Sequence, residues 1–161
     1  MTERTEGTET AEARALATTW DRIFDWTRRL GVRPTQIGLG CCAIGMTPAL
    51  DPRHDLSRFG VDVFRTAPRR GDLLIVAGTV SRKMAPLLRR LWDEMPEPRW
   101  ALALGSCASG GGPYRTYAVL RGIGQVIPID VHVPGCPPRP EALLAGLREL
   151  ETRMGLPEVH A

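Results

Sequence analysis

The residues whose type and setting could carry chemistry are four cysteines, Cys41, Cys42, Cys107 and Cys136, and they are all the cysteines the chain has. Cys41 and Cys42 stand side by side in Ile37-Gly38-Leu39-Gly40-Cys41-Cys42-Ala43-Ile44-Gly45-Met46. Cys107 lies in Gly105-Ser106-Cys107-Ala108-Ser109-Gly110-Gly111-Gly112, and Cys136 in Pro134-Gly135-Cys136-Pro137-Pro138. Four thiolates suit either tetrahedral zinc or a cubane of iron and sulfide. Structural zinc favours cysteine pairs separated by a short chelate loop. Here an adjacent pair is followed by gaps of 65 residues (42 to 107) and 29 residues (107 to 136). Adjacent side chains diverge and suit one small ion poorly, whereas a cubane offers each its own iron. Gly38 and Gly40 supply the backbone freedom for such a bend. An iron–sulfur cluster is therefore favoured, with zinc and with buried or redox-active thiols left as alternatives.

The surroundings point the same way. The glycine-rich run after Cys107 can wrap closely round a cluster and aim N–H groups at sulfur, which tunes its potential. A cysteine followed by proline, as at Cys136-Pro137, also recurs among ferredoxin ligands. Gly38-Leu39-Gly40-Cys41-Cys42-Ala43 fits the dinucleotide pattern G-x-G-x-x-G/A, with Asp62 about 20 residues on. Bulky thiols would then sit where a pyrophosphate must meet backbone, so the match reads as a decoy. The triple glycine at 110–112 lacks the Gly-Lys-Ser/Thr sequel of a phosphate loop and reads as a turn. His54, His132 and His160 are scattered and read as surface or hydrogen-bonded residues. Tyr114 and Tyr117 are expected in the core, as are Met46 and Met84. Nothing stands out as a catalytic acid, base or nucleophile.

The elements that must position these cysteines are legible in outline. Residues 1–12 are rich in Thr and Glu and are expected to form a disordered tail. From Ala13 to Leu30, Leu16, Trp20, Ile23, Phe24 and Leu30 fall near one face, giving an amphipathic helix suited equally to packing on its own domain or to a partner or membrane surface. A short apolar segment, Gln36 to Gly40, leads to the paired cysteines, and the chain turns helical from Ala43. Val61 to Phe64 is a strand candidate, and Asp72 to Gly78 reads as a buried strand. A helix is expected from Lys83 to Met95, stopped by Pro96 and Pro98. Strands follow at Trp100 to Leu104 and Gln125 to Val131, then a helix from Pro138 to Met154. Alternating strands and helices imply an α/β domain, 13–161, with a mostly parallel sheet covered on both faces. Functional groups in such folds gather beyond the carboxyl ends of strands, and Cys41, Cys107 and Cys136 each follow a strand candidate.

Composition bounds the function classes. The 161 residues are 43% hydrophobic and 24% charged, which suits one soluble globular domain. A net charge of +3 is too weak to argue for nucleic acid. Arginine supplies nearly all the positive charge, since Lys83 is the only lysine. No apolar run approaches the ~20 residues of a membrane span. The polar, partly acidic start is expected to be neither a signal nor a transit peptide. A reducing, cytoplasmic setting is expected, where four cysteines favour metal or redox chemistry over disulfides.

The cysteine motifs, together with Arg58-Phe59-Gly60, Ile75-Val76-Ala77-Gly78-Thr79, Lys83-Met84-Ala85-Pro86 and Met95-Pro96-Glu97-Pro98-Arg99, closely resemble the B subunit of NADH-quinone oxidoreductase, respiratory complex I. The likeness runs from about Asp25 to Leu150. It implies a flavodoxin-like fold related to the small subunit of nickel–iron hydrogenases. It also implies a terminal [4Fe-4S] cluster on Cys41, Cys42, Cys107 and Cys136, passing electrons to quinone in a proton-translocating complex. The implied partners are a hydrogenase-like large subunit, a ferredoxin-like subunit and membrane-domain subunits, at the cytoplasmic face of the cell membrane. Hydrogenase small subunits begin their ligand set with C-x-x-C, so the adjacent pair favours the quinone branch over a membrane-bound hydrogenase-like complex. From a different class, a zinc-stabilised interaction module is the alternative. One position departs from the family: Gly45 stands where a glutamate is usual.

Overall fold

The computed structural model describes residues 32–56, 61 and 68–154. The chain divides into two units, Met1–Gly31 and Val32–Ala161, and every described residue belongs to the second. The expected tail at 1–12, the amphipathic helix at 13–30 and all but Val61 of the expected strand at 61–64 lie outside the described residues.

Among the described residues four parallel strands form the sheet, in the order β1 (Pro34–Gly38), β2 (Leu73–Ala77), β3 (Trp100–Leu104) and β4 (Val131–Val133). An isolated parallel bridge joins Val32, just ahead of β1, to Val61. β2 reads Leu-Leu-Ile-Val-Ala and is buried throughout, as a strand covered on both faces must be. Its side chains alternate between two cores. Leu73, Ile75 and Ala77 join Leu102, Leu104, Val131 and Val133 against α1 (Cys41–Met46) and α4 (Pro140–Arg153). Leu74 and Val76 join Ala101 and Ala103 against α2 (Ala85–Glu94) and Ile123. The result is a flavodoxin-like α/β layer arrangement, as the strand–helix alternation implies.

Each helix has a readable start and stop. Pro86 and Pro140 sit in the first turns of α2 and α4, where a missing N–H costs nothing. Met95, ahead of Pro96, is extended and ends α2, because a following proline disfavours the helical conformation. Leu88 and Trp92 form the buried stripe of α2, while Arg89–Asp93 and Arg90–Glu94 pair along its outer face. Gly146 in α4 lets the helix approach β4, since a Cβ there would overlap Val133 Cγ2.

The expected strand from Gln125 to Val131 is not formed. Residues Ile123–Gln125 make a 3₁₀ turn, and β4 begins only at Val131. The apolar residues that suggested a strand instead pin a loop: Val126 and Ile127 both donate to the Ile123 carbonyl, and Ile123 and Ile127 are buried. Pro128 removes a donor a strand would need.

Register is what positions the site. Gly38 pairs with Ala77, Ala77 with Leu104, and Leu104 with Val133, so the last residues of all four strands lie in one row.

Candidate metal centre

Cys41, Cys107 and Cys136 each follow that row by the same three residues, from Gly38, Leu104 and Val133 respectively. Equal offsets from aligned strand ends bring three separate loops to one edge of the sheet. β2 contributes no cysteine, and its exit serves another purpose. Leu39 N–H donates to the Ala77 carbonyl at 2.7 Å, so the loop leaving β1 crosses over the end of β2. Gly78 lies directly beneath it with φ +91°, and a Cβ there would overlap the Leu39 carbonyl oxygen. The crossing carries the paired cysteines toward β3. Cys42 ends beside Gly105, whose Cβ would stand 2.5 Å from Cys42 Sγ.

Cys107 sits in the short helix α3 (Ser106–Gly110), which β3 enters directly. Gly105 N–H donates to the Val133 carbonyl at 2.8 Å, and Ser106 donates to the Gly135 carbonyl through both its N–H (2.9 Å) and its hydroxyl (3.0 Å). Three bonds thus fasten the Cys107 helix to the turn carrying Cys136. The triple glycine forms the turn expected of it, with Gly111 N–H closing on the Cys107 carbonyl at 2.9 Å. A Cβ on Gly112 would stand 2.7 Å from Cys107 Sγ.

Cys42 and Cys107 are buried, Cys41 and Cys136 exposed, and none is in a disulfide. Burial pushes the Cys42 thiol up to about 11. The charge of Cys41 and its side-chain hydrogen bond push the same way, as do the charges of Cys107 and Cys136. All four thiols therefore share one electrostatic neighbourhood. Among the described residues no three of His, Cys, Asp and Glu are arranged to hold a single metal ion. The donor set is chemically right for an iron–sulfur cluster, being four cysteines without a carboxylate or imidazole among them. Room is kept beside two of the sulfurs by Gly105 and Gly112, where any side chain would intrude.

The remaining candidates fall elsewhere. His54 lies with Nδ1 at 3.2 Å from the Pro48 carbonyl and Nε2 at 3.4 Å from Glu141 Oε1, fastening the segment after α1 to the start of α4. It is a hydrogen-bonded residue, as expected. Met46 is buried and Met84 packs on the α2-side core. Tyr114 and Tyr117 correct their expectation of core packing: they are 56% and 90% exposed, on the loop after the triple glycine. Gly45 lies against the Cys136 turn, its Cβ position 3.2 Å from the Pro138 carbonyl oxygen. Sequence reasoning missed Gly78 and Ser106, whose roles rest on partners far along the chain. No helix among the described residues is long and apolar enough to cross a membrane.

Sheet and site together define a flavodoxin-like α/β protein with a cysteine-bearing carboxyl edge. Solved structures share this fold: a nickel–iron–selenium hydrogenase of Dm. baculatum superposes with a TM-score of 0.56 at 17% identity, over 80% of this chain and 67% of that one. The membrane-bound sulfane sulfur reductase, an archaeal respiratory membrane complex, contains a chain with a TM-score of 0.76 and 34% identity, covering 82% of this chain and 75% of that one. Among curated proteins, the B 2 subunit of NADH-quinone oxidoreductase from Rhizobium meliloti (strain 1021) is 55% identical over 86% of this chain and 83% of its own length. The B 1 subunit of NADH-quinone oxidoreductase from Solibacter usitatus (strain Ellin6076) is 49% identical over 89% and 76%. The family model described as NADH ubiquinone oxidoreductase, 20 Kd subunit, matches residues 40–150. The chain belongs to that family.

Proposed function

We propose that this chain is the electron-transfer subunit of a membrane-associated NADH-quinone oxidoreductase, and that Cys41, Cys42, Cys107 and Cys136 hold its terminal [4Fe-4S] cluster. The observation that carries this is the common three-residue offset of Cys41, Cys107 and Cys136 from one row of strand ends, with Cys42 carried in beside Gly105. When bound, such a cluster supplies one-electron redox chemistry.

The chain's own part is positioning. The sheet end and the two buried thiols close the inner side of the site against water, and Ser106 holds the Cys136 turn to the Cys107 helix. Gly105 and Gly112 keep side chains out of the space beside the sulfurs. Cys41, Cys136, Pro137 and Ile44 lie exposed on the outer side, Ile44 by 74%. An exposed apolar and thiol surface of this kind suits coverage by a partner, and the hydrogenase-like large subunit, with quinone between the two, is the proposed cover. A ferredoxin-like subunit delivers electrons, membrane-domain subunits complete the proton-translocating complex, and the chain is peripheral on the cytoplasmic side. The curated relatives at 48–55% identity are all named as NADH-quinone oxidoreductase subunits, which supports quinone over hydrogen as the redox partner.

The test is iron and acid-labile sulfide in the anaerobically purified protein, separated from its iron-bearing partners, with low-temperature EPR after dithionite. About four of each per chain are expected for a cubane, with a reduced-cluster signal that Cys41→Ser abolishes. Zinc in place of iron would overturn the assignment and leave an interaction module.

A further inference from the structure

Two loops at the carboxyl edge of the sheet are zipped together outside the cysteine set. Arg82 N–H donates to the Ala118 carbonyl at 2.8 Å, Leu120 N–H to the Val80 carbonyl at 2.9 Å, and Ser81 forms an antiparallel bridge with Val119. One loop leaves β2, and the other continues from the Cys107 helix through Gly111 and Gly112. Together they display Arg82, Lys83, Tyr114, Arg115, Tyr117 and Arg121, all exposed. Among the described residues none of the four cationic side chains has a hydrogen-bond or ion-pair partner, in contrast to Arg89 and Arg90 on the neighbouring helix. Residues 78–92 and 105–129 contain no Asp or Glu at all. Positive charge here is therefore uncompensated by these loops themselves, and it is interleaved with two exposed aromatic rings.

Arg and Tyr set on a rigid scaffold and left without internal partners are the composition of a protein-docking surface. Charge decides the partner. A second copy would bring the same cations face to face, which like-charge repulsion opposes. We infer that the Arg82–Lys83 and Tyr114–Arg121 loops form a docking surface for an acidic face of another protein subunit of the same complex. This rests on the reading of the chain as a subunit of a larger assembly. Continuity with the Cys107 helix favours a protein over a lipid surface: whatever seats on these loops also abuts the cysteine edge, which is useful for a redox partner and not for a headgroup. Uncompensated charge at that edge orients the encounter and sets its register.

Lys83, the only lysine, gives a site-specific probe. In the purified native complex, a zero-length carbodiimide is expected to join the Lys83 ε-amine to an Asp or Glu of another subunit, with loss of water, as identified by peptide mass spectrometry. K83R keeps the charge and should abolish the cross-link while leaving the complex intact. The R115E/R121E variant should weaken association of the full chain by roughly tenfold or more and flatten its salt dependence. R115Q/R121Q serves if the charge reversal fails to fold. Lys83 reacting with a soluble amine reagent as fast in the complex as in the isolated chain would overturn the inference. So would protection of Lys83 only in the presence of phosphatidylglycerol vesicles, which would make a membrane the occupant. Neither readout depends on iron, so a failure of the cluster assignment would show separately, in the iron and sulfide content.

Discussion

The backbone of Leu39 lies across Gly78 so closely that the Leu39 carbonyl oxygen occupies the place of a Gly78 Cβ. This crossing brings a β1 loop over the end of β2 and delivers Cys41 and Cys42 toward the loops of β3 and β4. It is the step by which four cysteines from three loops become neighbours.

Gly78→Ala should consequently be among the most damaging single-methyl additions in the chain. The positive φ and the overlap with a backbone atom cannot be relieved by rotating a side chain, and a cost of about 3 kcal/mol or more is expected. Denaturant melts of the variant, with iron content of whatever folds, measure it. Wild-type stability with a full complement of iron would contradict the crossing.

Gly112→Ala tests the space beside Cys107. A Cβ at 2.7 Å from Sγ displaces the sulfur or the turn, and φ +55° adds strain. Iron occupancy is expected to fall severalfold while secondary structure by circular dichroism persists. Gly110→Ala is the control, because a Cβ at position 110 meets nothing within 4 Å.

Ser106→Ala removes the hydroxyl bond to the Gly135 carbonyl and leaves the backbone bond to the same acceptor. A loss of about 1 kcal/mol is expected. Its more telling readout is kinetic: release of iron to a chelator should be faster than in wild type, because the Cys136 turn is held less firmly. Ser106→Thr, which keeps the hydroxyl, should restore the slow release.

Glu151 supplies a pH prediction remote from the cysteines. It is buried to 8% exposure on α4, and burial raises its carboxyl above 4.5, opposed by the Arg148 charge. A folded value above the unfolded one means that the folded chain binds the extra proton. Stability therefore falls as pH rises from about 4.5 through the raised value, and the cost is complete at neutral pH. Glu151→Gln should be more stable than wild type at pH 7. The gap should close below pH 4.5. Urea melts across that range check both ends.

Leu73–Ala77 could be read as a buried strand from five apolar residues in a row, and α2 and α4 from their apolar stripes, because each signal is local. The cysteines could be read as one set because their number and glycine-rich settings are local too. The row of strand ends could not, since register is decided by pairing between residues 27–39 positions apart, such as Gly38 with Ala77 (77 − 38) and Ala77 with Leu104 (104 − 77). The Ile123–Ile127 region misled for a related reason: apolar residues that anchor a loop look the same as those of a strand until their partners are known. Tyr114 and Tyr117 misled because an aromatic ring left exposed on a loop has no mark in the sequence distinguishing it from one destined for the core.

The shared offset of Cys41, Cys107 and Cys136 from their strand ends has a bearing on how such chains can change in length. Residues inserted at the exposed Tyr114–Tyr117 turn, clear of Gly78, Gly111 and Gly112, lengthen the gap between Cys107 and Cys136 and leave the sulfurs where they are. A single residue inserted between Leu104 and Cys107, or between Val133 and Cys136, swings one thiol out of the group. The sheet edge is thus the gauge against which ligand positions are set. In family members of any length, counting from strand end to cysteine should hold constant where counting from cysteine to cysteine does not.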